Sequence, residues 1–266
     1  MIKVLITEIE SSLGVHLSEY LLKLENVEIY GILKSDSKEE KIVSIKDQVK
    51  IYKQSKKDFS IRKILEEVKP HKIFCFKNFE TEILKETKNV SPETIIQIEM
   101  IGDFPTIFEN LKIIFTKTPL YTGPLVESSE DPFFSKLAEQ IVLIEKGFKE
   151  PVIHLKEVEA ALPVLDVRDL VKAYWLITEV GRFREVYGIY SREYTLKEIL
   201  NLFLSLSQIK PEIKYTFEDE KIIFSISEEE VKNFKKRAYW RPQIPIHITF
   251  RDLLNWYRKK LPKNYS

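Results

Sequence analysis

Residues Leu5–Leu17 read LITEIESSLGVHL. The strand-like stretch KVLIT (3–7) leads into a turn, and the amphipathic stretch LGVHLSEYLLKLE (13–25) leads out of it. Strand, turn and helix in this order mark the place where a doubly wound α/β fold carries a glycine-rich phosphate loop. Only Gly14 is a glycine here; Glu8 and Ser11 stand where two more are expected. The turn therefore predicts the fold and puts its usual ligand in question.

The alternation continues outward from that turn. VEIYGIL (27–33) and VKIYK (49–53) read as strands, IRKILEEV (61–68) as a helix, and KPHKIFCF (69–76) as a turn and a buried fourth strand. SPETIIQIEMIGDFPTIFENL (91–111) reads as a long helix capped by Ser91, with Pro92 in its first turn and a break at Pro105. KIIFTKT (112–118) is then a fifth strand, DPFFSKLAEQIVLIEKG (131–147) a helix closed by Gly147, and EPVIHL (150–155) a sixth strand. Strand–helix alternation implies right-handed crossovers and a parallel sheet covered on both faces. The fold class is α/β, a doubly wound parallel sheet with a small mixed α/β C-terminal lobe. The expected division is 1–190 for the Rossmann-like domain and 191–266 for the lobe. The lobe carries the helices TLKEILNLFLSLS (195–207, capped by Thr195), SEEEVKNFKKRA (227–238) and TFRDLLNWYRKKL (249–261).

Composition narrows the function classes. With 266 residues, 44% apolar and 31% charged, the chain can bury a large core under a heavily charged surface. Its net charge of +1 offers no general attraction for nucleic acid or an acidic membrane. Cys75, the single cysteine, excludes an intramolecular disulfide and reads as a buried small hydrophobe within KIFCF. The four histidines are scattered, which argues against a metal site. No run approaches a membrane span or a signal peptide, so a soluble, cytoplasmic protein is expected. The abundance of Lys, Glu and Ile resembles that of thermophile proteins.

Several segments together carry a resemblance: KVLITEIESSLGVHLSEYLL, EVKPHKIFCF, FTKTPLYTG, DPFFSKLAEQ, LDVRDLVKAYWLITEVGRFREVYGIYS and YWRPQIPIHITFRDLLNWYRKKL. In order and spacing they resemble the extended short-chain dehydrogenases of the NAD-dependent epimerase/dehydratase type. The likeness is greatest to GDP-mannose 4,6-dehydratases and 4-keto-6-deoxymannose reductases. The resemblance implies an NAD(P) cofactor, a nucleotide-sugar ligand, and a dimer built from two long helices per subunit. It places cofactor contacts at Thr7, Ser11, Gly14 and Lys34. Lys34, followed by Ser35, suits NADP better than NAD, although a solvated loop is the plainer reading. For Gly14 the plainer reading is close helix–strand packing. The family's catalytic set is a Ser or Thr after the fifth strand, then Tyr-x-x-x-Lys in the next helix. Laid on this chain, it gives Thr118 and Lys136, with Pro132 or Phe133 in the tyrosine's place and Pro119 where dehydratases need a Glu. Phenylalanine cannot exchange a proton, and Tyr121 is a poorly placed substitute.

Two readings follow. The favoured one is a catalytically silent homologue that binds a ligand or serves as a partner subunit, with no cofactor or only weak NAD(P) binding. The other is an active NAD(P)-dependent dehydratase or reductase with an atypical site. Association as a homodimer, or with a related subunit, would use Ile95, Ile98 and Phe104 together with Leu137, Ile141 and Ile144 as a second apolar stripe. Asp166, Arg168 and Asp169 are expected to cap a helix and pair with one another. Trp240 and Arg241 are expected to pack the lobe.

Overall fold

The computed structural model describes residues 1–34, 39–54, 57–76, 80–99, 110–131, 133–156, 161–216 and 226–262. The chain divides into two compact units. The first comprises Met1–Thr118, Val171–Ile189 and Ser225–Trp240, and the second Pro119–Leu170, Tyr190–Phe224 and Arg241–Ser266.

The first unit is built on a seven-stranded sheet in which every strand pair is parallel. Its strands are β1 (Ile2–Ile6), β2 (Val27–Leu33), β3 (Lys50–Lys53), β4 (Lys72–Cys75), β5 (Ile95–Glu99), β6 (Lys112–Lys117) and, far along the chain, β10 (Val186–Gly188). Their order is β10-β6-β5-β4-β1-β2-β3, the reversal at β1 being that of a Rossmann-like fold. The helices are α1 (Ser12–Leu21), α2 (Ile61–Val68), α3 (Glu80–Val90) and α7 (Glu228–Arg237), joined by most of α5 (Val167–Val180). Ile61, Ile64, Leu65 and Val68 recur at helical spacing and bury one face of α2 against Leu5, Ile32, Ile73 and Ile96. Ser60 caps that helix by accepting the Lys63 N–H.

The second unit holds a three-stranded sheet, β11 (Glu193–Tyr194)–β9 (Leu162–Asp166)–β7 (Leu120–Thr122), and a pair, β12 (Glu212–Thr216)–β8 (Val152–Lys156). With them pack α4 (Phe134–Glu145), α6 (Leu196–Ser205) and α8 (Ile246–Lys260). Phe134, Leu137, Ile141, Phe203, Phe250 and Leu254 centre its core. Thr195 caps α6 as the sequence suggests, and Glu198 completes a reciprocal capping box with it.

The segment expected as one long helix from 91 is different. Residues 95–99 form β5, a central strand held by β4 on one side and β6 on the other, while 100–109 lie outside the described residues. KIIFTKT is therefore the sixth strand rather than the fifth, and EPVIHL becomes β8. The short stretch IIQIE carries no period long enough to separate strand from helix, and tertiary pairing decides. The helix that precedes β5 is α3, which the sequence reading passed over. The proposed second apolar stripe is lost with the long helix. Ile95 and Ile98 lie in the sheet, and Leu137, Ile141 and Ile144 lie in the second unit's own core; Phe104 is outside the described residues.

Candidate functional site

The turn after β1 is tied down on three sides. Thr7 is fully buried. Its hydroxyl accepts the Phe76 N–H at 2.7 Å and donates to the Phe76 carbonyl at 3.0 Å, so it fastens the turn to the end of β4. The Ile9 N–H donates to the Ile32 carbonyl at 3.1 Å, and the Ile9 side chain lies over Gly31, where an added Cβ would fall 2.2 Å from its Cδ1. Glu10 reaches the end of β2, its Oε1 accepting the Lys34 N–H at 3.3 Å.

Each loop position has a readable local role. Glu8 adopts φ 46°, the left-handed backbone that a glycine at this place supplies without strain. The turn has the shape of a glycine loop without the residue that makes it easy. Ser11 is the N-cap of α1, its hydroxyl accepting the Gly14 N–H at 3.0 Å. Gly14 remains because a Cβ there would lie 2.7 Å from the Glu8 carbonyl oxygen and from the Ile9 Cα and carbonyl oxygen. The packing reading of Gly14 thus has its geometry: helix start and turn touch backbone to backbone. Lys34 meets the turn through its main chain, and the residue is exposed.

A dinucleotide's pyrophosphate needs room beside the first two glycine positions and donors at the helix N-terminus. In this turn Glu8 and Glu10 are each 8% exposed, two buried carboxylates in the loop that such a fold otherwise uses for the pyrophosphate. A carboxylate and a phosphate about 5 Å apart repel by about 3 kcal/mol at an effective dielectric near 20. The Gly14 N–H is already committed to Ser11. These residues do not fit a pyrophosphate.

The other site candidates fall in different units. Thr118, in the first, is half-buried and donates from Oγ1 to Glu99 Oε1 at 2.5 Å. Next to it in sequence, Lys117 pairs with Glu230 of α7 at 2.7 Å, both side chains mostly covered. Burial alone would raise the Glu230 pKa, but the Lys117 ammonium and the Ser227 N–H outweigh it and hold the carboxyl below its ordinary value. In the second unit, Lys136 is exposed on the first turn of α4. Phe133 sets its ring edge-on to Phe134, centroids 5.0 Å apart. Pro132 lies outside the described residues. The buried Asp131 caps α4, accepting the Phe133, Phe134 and Ser135 N–H groups at 3.0, 2.9 and 2.9 Å. Tyr121 lies half-buried on β7.

The charged motif DVRDL is structural. Arg168 forks onto Asp166 with Nε at 2.9 Å and Nη2 at 2.7 Å, and reaches Asp252 at 2.8 Å. Asp169 Oδ2 accepts the Gln243 and Ile244 N–H groups, each at 2.7 Å. Trp240 packs edge-on to Phe234 of α7. Among the described residues no group of three His, Cys, Asp or Glu side chains is placed to hold a metal, and no helix is long and apolar enough to cross a membrane.

Sequence reasoning missed Glu99 and its inner neighbour Gln97, because their segment was read as helix. The available signal was two polar residues at i and i+2 within an otherwise apolar run.

The parallel sheet and its strand order define a Rossmann-like α/β fold, shared with solved epimerases and dehydratases. The chain superposes on the RMD structure from Pseudomonas aeruginosa, complexed with NADPH, with a TM-score of 0.72 and 14% identity over 98% of this chain and 100% of that one. It superposes on dTDP-glucose 4,6-dehydratase from Bacillus anthracis, in complex with NAD, with a TM-score of 0.76 and 17% identity over 97% of each. In sequence it is 22% identical to the GDP-6-deoxy-D-mannose reductase of Pseudomonas aeruginosa over 161 residues, 58% of this chain. That match spans about half, 51%, of the reductase. No family model matches the sequence.

Proposed function

We propose that this chain keeps the fold of a nucleotide-sugar enzyme as a ligand-binding subunit and performs no oxidoreduction itself. The observation that carries the reading is the turn after β1, where two buried carboxylates and a capping serine take the place of a pyrophosphate-binding loop. A repulsion of about 3 kcal/mol is about two orders of magnitude in affinity, enough to take a micromolar site out of useful range. Phe133 in place of the proton-exchanging tyrosine points the same way. The ligand class comes from the neighbours, among them a UDP-N-acetylglucosamine 4-epimerase solved with UDP-N-acetylmuramic acid. A homodimer, or pairing with a related subunit, belongs to the same reading.

The test is direct. NADPH and NADH are titrated by calorimetry at moderate salt, and GDP-mannose is incubated with NADP and examined for the 4-keto product. The expected result is no saturable cofactor binding in the micromolar range and no product. Micromolar affinity would overturn the reading of the turn, and product that is lost in Lys136→Ala would establish the active enzyme with an atypical site instead. Light scattering at micromolar concentration, alone and with an intact relative, tests the association.

A further inference from the structure

The strand pair β8–β12 has one edge closed and one open. The Glu212 N–H donates to the Pro151 carbonyl at 2.8 Å, and the parallel register runs from Glu212 opposite Val152 to Thr216 opposite Lys156. The main-chain groups of Glu212 and Lys214 therefore point at β8, and those of Ile213 and Tyr215 point the other way. On the far side of β8 the Gln140 side chain closes the ladder. Its Nε2 donates to the His154 carbonyl at 3.2 Å, and its Oε1 accepts the His154 N–H at 3.1 Å. Among the described residues no strand pairs with the outer side of β12.

An open strand edge is a template for another strand, and a two-stranded sheet is marginal by itself. Edges built to refuse a partner carry a proline or turn a charge inward. β12 reads Glu-Ile-Lys-Tyr-Thr and does neither. Ile213 packs against the second unit's core, so Ile213 and Tyr215 share the core-side face, and Glu212 and Lys214 share the solvent face. The Glu212 and Lys214 side chains stand in water, 3.8 Å apart, and Tyr215 remains 47% exposed.

We propose that the outer edge of β12 pairs antiparallel with β12 of a second copy of this chain, centred on Ile213. The strand is self-complementary in that register. Glu212 falls opposite Lys214 of the second copy, Lys214 opposite its Glu212, and Tyr215 opposite its Pro211. Opposite charges directly across an antiparallel pair stabilise it. The outward N–H and C=O of Ile213 make the two reciprocal bonds of a hydrogen-bonded pair. The Tyr215 N–H reaches the Pro211 carbonyl, and Pro211, with no N–H of its own, ends the ladder. A twofold axis repeats each contact, as a closed dimer requires. The neighbouring register that uses the same outward groups sets Lys214 against itself, which like charges disfavour. This rests on the homodimer in the reading above and supplies it with a surface. An edge of five residues is small beside a standard interface, so a dissociation constant of about tens of micromolar is expected.

The experiment is sedimentation of the full chain over about 1–200 μM at low salt, with melting temperatures recorded in parallel. Wild type is expected to dimerise. Ile213→Pro deletes a donor that points away from β8, so the β8–β12 bonds survive while dimerisation weakens at least about tenfold. Lys214→Glu and Glu212→Lys, each placing like charges opposite one another, should each weaken the dimer about tenfold. The double variant Glu212→Lys with Lys214→Glu restores the pairs and should return to within about twofold of wild type. The charge variants decide the matter should Ile213→Pro unfold. A dimer indifferent to all of these substitutions overturns the assignment and leaves a homodimer through another surface. Single charge variants that weaken the dimer without rescue by the double variant overturn this register and the proposal with it. A wild type that stays monomeric throughout removes the homodimer itself, and this surface falls with it.

Discussion

Glu8 holds a conformation that its side chain disfavours, and relieving it should be measurable. With φ at 46°, a non-glycine L-residue carries a penalty of about 1–2 kcal/mol. Glycine removes that penalty but gives the unfolded chain more freedom, worth about 0.4–1 kcal/mol in the other direction. The net gain from the backbone alone is therefore about 0.8 kcal/mol, taken at the centre of the two ranges, in favour of the folded glycine variant. Glu8 also carries a buried carboxylate with interactions of its own, so wild type is the wrong reference. The informative comparison is Glu8→Gly against Glu8→Ala, since both delete the carboxylate and only alanine keeps the strain. In a chain of this size the difference corresponds to a melting temperature about 1–4 °C higher for glycine. Urea unfolding with a common slope gives the same quantity as a shift in midpoint. If the glycine variant is no more stable than the alanine variant, residue 8 is not left-handed in solution, and the view of this turn as a glycine loop without its glycine is wrong. Adding Ser11→Gly to Glu8→Gly frees the Gly14 N–H and removes a carboxylate, so NADPH affinity should rise over wild type in the calorimetric titration.

Gly14→Ala should destabilise by about 1–3 kcal/mol, read as a lower urea midpoint, because the added methyl meets three backbone atoms that cannot rotate away. Glu230→Gln should cost about 1–3 kcal/mol at neutral pH, since it removes a charged partner of the mostly covered Lys117 ammonium. The folded-state pKa of Glu230 is depressed, so its contribution is fully present above the ordinary glutamate value and is lost as pH falls through the lower folded value. The stability gap between wild type and Glu230→Gln should therefore close on acidification from neutral to below the ordinary value of 4.5; a gap that is constant with pH would show that the pair contributes nothing through charge.

Much of this protein is written locally. The strand–turn–helix at 2–21, the apolar face of α2 and the cap Thr195 need only near neighbours along the chain, and they stand where the sequence puts them. Their signals are periodicity and one-turn hydrogen bonds, both complete within a dozen residues. The same holds for the suspicion cast on the phosphate loop, since Glu8 and Ser11 are visible without a structure. Tertiary structure alone decided the rest. Residues 95–99 are a strand because β4 and β6 offer their backbone groups on both sides, and no window of the sequence contains those partners. Glu10 becomes a latch only because the end of β2, 24 positions away, presents the Lys34 N–H, and Thr7 becomes a fastening only because Phe76 lies 69 positions away. Glu99 acquires a partner in Thr118 only when β5 and β6 lie side by side. A carboxylate's role depends on which donors reach it, and long-range strand pairing sets that geometry while leaving no period in the chain to read.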